Sequence, residues 1–323
     1  MNNQPVLLRH QTPTLIIGGG IAGIAAALEL LEKNQAVLLI DRDTREKFGG
    51  MANEAFGGMH FVNTPLQRLN GIHDSKDLAL KDWLAAAQFG PKDVHAKAWA
   101  HTYIERNRED IYDWLMGFGL RFFPVVHWVE RGNSGLNEGR GNSVPRYHVT
   151  WGTGWGLTQT LIKALFNHRN ARLLTVKFNY HVQDVMCNHK GDVVGCSGLI
   201  ESENTPQQFE IQAQHTVVCA GGINGNLKQV KKHWDENCYG PYPDNMLAGS
   251  HPYADGHLHD NLKGKGVSVK NLGWMWNYAS GIKHPKPEYA NHGLSMMPPR
   301  SSLWLDAKGK RVGPMPLMTG FDT

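Results

Sequence analysis

Residues 14–41, TLIIGGGIAGIAAALELLEKNQAVLLID, constrain the fold more than any other stretch of this chain. The apolar run over residues 14–17 reads as a short buried strand. It leads directly into Gly18, Gly20 and Gly23, the G-x-G-x-x-G spacing. Residues 21–31 read as a helix rich in Ala and Leu, Gln35 closes the turn, and residues 37–40 read as a second apolar strand ending at Asp41. Asp41 lies 23 residues beyond Gly18, close to the spacing of about 20 at which a carboxylate meets an adenosine ribose. Strand, glycines, helix, strand and acid together predict a βαβ unit built to hold a dinucleotide.

Each glycine has a physical reason. Gly18 lets the chain turn sharply out of the strand, Gly20 removes a side chain from the path of a pyrophosphate, and Gly23 lets helix pack closely on strand. The helix then presents unpaired N–H groups and a favourable dipole to an anion. A signal peptide or membrane helix fits poorly. Four glycines fall within residues 18–23, Glu29 interrupts the apolar run, and the second strand and its acid would go unexplained.

A chain of 323 residues is long enough for one large or two modest domains. Its net charge of +4, without a run of five like charges, gives no footprint for nucleic acid or for a polybasic membrane anchor. Cys187, Cys196, Cys219 and Cys238 form no C-x-x-C pair, which predicts reduced thiols and a cytoplasmic location. Cys219 lies in an apolar run and reads as a small buried hydrophobe. The 17 histidines are scattered without ligand spacing, so no metal site is predicted.

Beyond Asp41, KFGGMANEAFGGMHFVN carries two Gly-Gly pairs, Gly49-Gly50 and Gly57-Gly58, and reads as backbone in close contact with a ligand, or as two tight turns. Residues 74–119 read as a helical insertion whose Trp83, Trp99, Tyr103, Tyr112 and Trp114 serve packing rather than base stacking. A loop rich in Gly, Asn and Arg at residues 131–146 precedes a glycine-punctuated entry into an amphipathic helix over 147–165. Strand-like segments at 172–180, 181–188, 192–200 and 208–211 form a β-meander, and HTVVCAGG at 215–222 reads as a separate buried strand. Past Ile223 prolines, histidines and tryptophans dominate. The expected division is a domain over 1–225, with the insertion at about 74–119, and a second region over 226–323.

The combination of GGGIAGIAA, Asp41, FGGMANEAFGG, GRGNSVPRYHVTWGTG and TVVCAGGINGN resembles the FAD-dependent fumarate reductase and 3-ketosteroid dehydrogenase superfamily, and within it the bacterial FAD-binding dehydrogenases. The resemblance implies an α/β fold. A Rossmann-like FAD-binding domain of the glutathione-reductase type carries the helical insertion and the meander, followed by an incomplete α+β substrate (capping) domain. It implies that Gly18, Gly20, Ile21, Ala22 and Gly23, with Asp41 and Arg42, hold the pyrophosphate and AMP ribose of FAD. Gly49, Gly50, Met51, Ala52, Phe56, Gly57 and Gly58 would run beside the ribityl chain and flavin ring, Val182 would meet the adenine, and Ala220, Gly221 and Gly222 would pass the pyrophosphate.

The reaction implied is dehydrogenation of adjacent carbons, or reduction of an activated C=C bond, on a small steroid-like or unsaturated acid substrate. Tyr278, His284 and Arg300 are the expected proton carriers, and Asp255-Gly256 resembles the family's Gly-Asp-Gly turn with Ala254 in place of the first glycine. The last residue, Thr323, falls inside the region the family uses as its capping domain. The expectation is therefore a shortened chain, or one completed by self-association or a second chain. An FAD-binding protein without turnover of its own stays open beside the oxidoreductase, as does a nicotinamide-dependent dehydrogenase.

Overall fold

The structure, a computed structural model, describes residues 7–129, 140–201, 206–277, 281–295 and 305–311. In chain order the elements used below are β1 (Leu8–Ile17), α1 (Ile21–Glu32), β2 (Val37–Ile40), β3 (Gly58–His60), α2 (Pro65–Leu69), α3 (Lys76–Ala87), α4 (Val94–Arg106), α5 (Trp114–Gly117), β4 (Tyr147–Val149), α6 (Thr153–Phe166), β5 (Leu174–Lys177), β6 (Tyr180–Cys187), β7 (Val193–Ile200), β8 (Gln207–Val218), α7 (Leu227–Lys232), α8 (Glu236–Tyr239) and α9 (His257–Gly264). Two compact units result. One comprises Met1–Glu54, Thr158–Trp276 and Lys283–Leu294; the other comprises Ala55–Leu157, Asn277–Ile282 and Ser295–Thr323.

The first unit is organised by a six-stranded sheet in the order β5-β2-β1-β8-β7-β6. β5, β2, β1 and β8 run parallel, and β8, β7 and β6 continue antiparallel. All four residues of β2 are buried, as expected of a parallel strand covered on both faces. β1 extends further than the expected residues 14–17. Its first half pairs only with β8, and its last four residues lie between β8 and β2. Leu15, Ile17, Leu38, Ile40, Val182, Val185, Phe209 and Ile211 form the core of one face together with Leu258 of α9.

α1 buries Gly23, Ile24, Ala27, Leu28 and Leu31, one stripe at helical spacing. It ends in a Schellman motif: Asn34 takes the left-handed conformation (φ 56°), its N–H donates to Leu31 O at 3.0 Å, and the Gln35 N–H donates to Leu30 O at 2.9 Å.

Two strand expectations need correction. Leu174–Lys177 does not join the meander but pairs parallel with β2, as the third strand of the nucleotide-binding half. Residues 208–211 and 215–218 are not separate strands. They are one, β8, whose first part pairs with β7 while the whole length from Phe209 to Val218 pairs with β1. Nor is its end buried, since Val217 is 36% exposed. Cys219 is only half-buried, and Cys196, in the sheet core, is the buried thiol.

The second unit is built around β3 paired antiparallel with β4 and packed with the helices of residues 65–117. Ser75 caps α3, accepting from Leu78 N–H at 3.1 Å. α4 passes into a π-helical segment, Asn107–Asp113. There the buried Asn107 Nδ2 donates to Tyr103 O and Ile104 O at 2.8 and 3.0 Å, and its Oδ1 accepts from Val62 N–H at 3.0 Å. The wide turn therefore leaves these carbonyls satisfied. Trp83, Tyr103, Tyr112 and Trp114 pack against other rings, whereas Trp99 is 74% exposed.

Arg146, fully buried, closes the loop before β4. It forms a bidentate pair with Asp74 (2.8 and 2.8 Å) and further contacts with Asp82 (2.6 Å) and Asn142 (2.8 Å). These units differ from a single boundary at residue 225. Residues 226–276 pack with the sheet, through Leu258 and through Asn261 accepting from Val185 N–H at 3.1 Å. Residues 55–73 and 140–157 belong with the helices, through the β3–β4 pairing and the Arg146 ion pairs.

Candidate functional site

The turn after β1 is forced by contact. Gly18 has φ +107°, and a Cβ built there would lie 2.3 Å from Cys219 O. At Gly23 a Cβ would lie 1.9 Å from Gly18 O, so the helix can approach the turn only without a side chain. Gly20, the N-cap of α1, differs: a Cβ there would meet nothing of the protein within 4 Å. No side chain caps α1 at this end, so its first-turn amides face outward with the positive end of the helix dipole. Gly49 and Gly50 lie against this turn. The Gly49 N–H donates to Gly19 O at 3.2 Å, and a Cβ at Gly50 would stand 3.2 Å from Gly20 Cα.

A cavity of about 510 Å³ opens here, within the first unit. Of the expected cofactor contacts, Gly18, Gly20, Asp41, Arg42, Gly50, Met51, Val182, Ala220, Gly221 and Gly222 line it. Ile21, Ala22, Gly23, Gly49 and Ala52 are not among the lining residues; Phe56, Gly57 and Gly58 belong to the second unit. There Gly57 is held by the Thr150 N–H donating to its carbonyl at 2.9 Å, and Gly58 packs on the Tyr147 ring.

Asp41 accepts from the Gly19 N–H and, at 2.7 Å, from the Asp43 N–H. Burial pushes its carboxyl above the usual range, against the opposing effect of those two amides. Arg42 reaches across to protein carboxylates: Nε and Nη2 grip Glu201 at 3.1 and 3.0 Å, Nη1 meets Asp255 at 3.3 Å, and the guanidinium lies 4.1 Å above the Tyr253 ring. Burial acts to raise the Glu201 carboxyl, but Arg42 and, after it, His181 outweigh it and hold the group below its ordinary range. His251 Nε2 meets Asp43 at 2.8 Å, and Asp43 is likewise held low against its burial. His181 Nδ1 meets Glu201 at 3.0 Å; burial and then Arg42 lower its pKa.

Val182 sits beside a β-bulge, and the neighbouring Gln183 carbonyl accepts from His257 Nε2 at 2.8 Å. Asp255 O and its carboxylate tie the start of α9 to the site: Asn226 Nδ2 donates to the carbonyl at 3.3 Å and the His257 N–H to Oδ1 at 2.8 Å. Glu201, His251, Tyr253 and Trp274 were not signalled by any motif, because each enters from a segment far away in sequence from Asp41.

Of the expected proton carriers, His284 alone is among the described residues. Tyr278 and Arg300 lie outside the described residues. His284 does not line the cavity; its Nδ1 accepts from the Lys286 N–H at 3.0 Å, and its ring stacks on His292 at 4.1 Å. Among the described residues no group of three or more His, Cys, Asp or Glu could hold a metal, and no helix is long and apolar enough to cross a membrane.

The family model described as FAD binding domain matches residues 14–317. The chain is 39% identical to the KsdD-like steroid dehydrogenase of Mycolicibacterium smegmatis, over 96% of this chain and 57% of that protein. It therefore spans little more than half the length of that relative. Among solved structures, the open conformation of a flavocytochrome c3 fumarate reductase superposes with a TM-score of 0.64, at 22% identity over 85% of this chain and 43% of the other. The 3-ketosteroid-Δ4-(5α)-dehydrogenase of Rhodococcus jostii superposes with a TM-score of 0.63, at 20% identity over 80% and 55%.

Proposed function

The chain belongs to the FAD binding domain family, and from that premise we propose that it holds FAD in the cavity at the α1 N-terminus as part of a steroid-oxidising or C=C-reducing flavoenzyme. The observation that carries the reading is the set of glycines around one uncapped helix N-terminus. Gly18 and Gly23 are required by contacts within the protein, whereas Gly20 faces open space where a side chain would obstruct only a ligand. In this reading the α1 amides bind the pyrophosphate, Asp41 accepts from the ribose hydroxyls, and Val182 offers its backbone to the adenine. Ile21, Ala22, Gly23, Gly49 and Ala52 are assigned to the same cradle, and Phe56, Gly57 and Gly58 to the flavin ring.

Bound FAD supplies a two-electron carrier able to exchange hydride with a substrate carbon. The protein's part is to bind and orient it and to move the accompanying proton, a role we assign to Tyr278, His284 and Arg300. Residues 226–323 would then contribute to the substrate side and 74–119 would be an insertion in the FAD domain. The steroid class is favoured over an unsaturated acid because the 39% identical relative carries that name. Free thiols at the exposed Cys187 and Cys238 support a reducing compartment, the cytoplasm.

The test is reconstitution with excess FAD, read by the flavin absorbance band and by mass spectrometry of the cofactor released on denaturation. Stoichiometric FAD is expected, with Asp41→Ala weakening binding by about 1–3 kcal/mol. Absence of a flavin band overturns the cofactor assignment. Dye reduction by a 3-ketosteroid, compared with dye oxidation by fumarate, then decides between the substrate classes. Bound FAD with neither activity leaves nucleotide binding as the function of this chain.

A further inference from the structure

We propose that Glu201 and Asp255, by holding Arg42, set the adenosine end of the cavity to accept an unphosphorylated ribose and to reject adenine nucleotides that carry a 2′-phosphate. This rests on the FAD reading above. Arg42 follows Asp41 directly at the end of β2, the place from which an arginine can reach a ribose 2′-phosphate. In this chain three of the five guanidinium N–H donors are already engaged. One edge forms the bidentate pair with Glu201 at 3.1 and 3.0 Å, the other meets Asp255 at 3.3 Å, and its face covers Tyr253.

Such fork-to-carboxylate geometry fixes the arginine as well as neutralising it. Among the described residues lining the cavity Arg42 is also the one Lys or Arg, whereas Asp41, Asp43 and Asp255 all line it. Four histidines, His181, His251, His257 and His259, also line the cavity. His181 faces Glu201 and has its pKa lowered by burial and by Arg42, and His251 faces Asp43. A ribose diol meets hydrogen-bond acceptors there, while a phosphate dianion meets carboxylates and an arginine whose charge and three of whose five N–H donors are engaged by Glu201 and Asp255.

The pairs are partly exposed, with side-chain exposures of 26% for Arg42, 37% for Glu201 and 31% for Asp255, so they contribute little to overall stability. Changing Glu201 should alter selectivity rather than the fold.

The experiment uses ADP-ribose and 2′-phospho-ADP-ribose, which share adenosine and pyrophosphate and differ in a single group, as competitors of FAD in a fluorescence titration of the whole chain. ADP-ribose is expected to displace FAD and its 2′-phosphorylated form to do so at least about tenfold less well. In Glu201→Gln the ratio should narrow by about tenfold as Arg42 gains free donors, with ADP-ribose affinity little changed. Glu201→Asp, which keeps the charge, should retain the selectivity. FAD binding with equal competition by both ligands, or with none from ADP-ribose, overturns the proposal, as does an unchanged ratio in folded Glu201→Gln. Failure of the wild-type chain to bind FAD at all instead overturns the cofactor assignment.

Discussion

The three fingerprint glycines do different work, and substitution separates them. A Cβ at Gly23 would sit 1.9 Å from the Gly18 carbonyl, so Gly23→Ala must push α1 off the turn. The expected cost is about 1–3 kcal/mol or more, read as a lower denaturation midpoint. Gly20 has ordinary extended backbone (φ −75°, ψ −175°) and open space beside it. Gly20→Ala, at the N-cap of α1, should lower the midpoint of the FAD-free protein less than Gly23→Ala and weaken FAD binding at least about tenfold, equivalent to about 1.4 kcal/mol. A Gly20→Ala protein that binds FAD normally would show that the pyrophosphate does not approach this turn. The spacing assigned these roles in outline; the structure adds the neighbours, Cys219 O beside Gly18 and Gly18 O beside Gly23.

At the scale of elements, what the sequence made legible was local. β1, α1 and β2 are joined by short connections, so their apolar periodicity, the glycines and Asp41 identified them together. β8 was read as two pieces because its composition changes where its partners change: Gln207–Gln212 pairs with β7, but Phe209–Val218 pairs with β1. β5 was read into the meander because nothing in Leu174–Lys177 announces a parallel partner at Val37–Ile40. The site was half legible for the same reason: its glycines and Asp41 carry local signals, but Glu201 and His251 are recruited by folding. Arg146 was likewise quoted only as part of a loop motif. Its zero exposure and that of Asp74 make it the fastener between β4 and the segment entering α3. Arg146→Met strands a buried carboxylate and should cost about 3–5 kcal/mol in denaturant unfolding. Glu288→Gln, which breaks the Lys47 pair at 57% and 60% exposure, should leave the denaturation midpoint almost unchanged. Similar small losses for both would mean that Asp74 finds solvent or another donor.

For the molecule as a whole, the titrating groups distribute acid sensitivity unequally between the two units. In the second unit burial lowers both His60 and His148 to about 4. His148 Nδ1 meets Arg146 O at 2.8 Å and its Nε2 meets Thr64 Oγ1 at 2.8 Å, an arrangement that the neutral ring satisfies. Below about pH 6.5 an unfolded chain takes up protons at these two histidines. The folded unit refuses them until about pH 4. Stability therefore falls as pH drops through that window, by about 2–4 kcal/mol for the pair between pH 7 and 5.

In the first unit His10, His181 and His233 are lowered by smaller amounts, and the groups held most firmly are carboxylates. Asp43, Asp184 and Glu201 have depressed pKa values, so their contribution is complete above the ordinary carboxylate range and is lost only as pH falls below it. Hydrogen exchange at pH 7 and 5, corrected for intrinsic rates, should thus show protection lost first in β3, β4 and α3 while β1 and β8 hold. His148→Gln should flatten the pH dependence of the second unit by about half. Equal losses in both units, or none in the second, would mean that water reaches these imidazoles and that the packing of Phe61, Tyr112 and Phe122 on His148, and of Trp83 and Tyr103 on His60, does not keep them neutral.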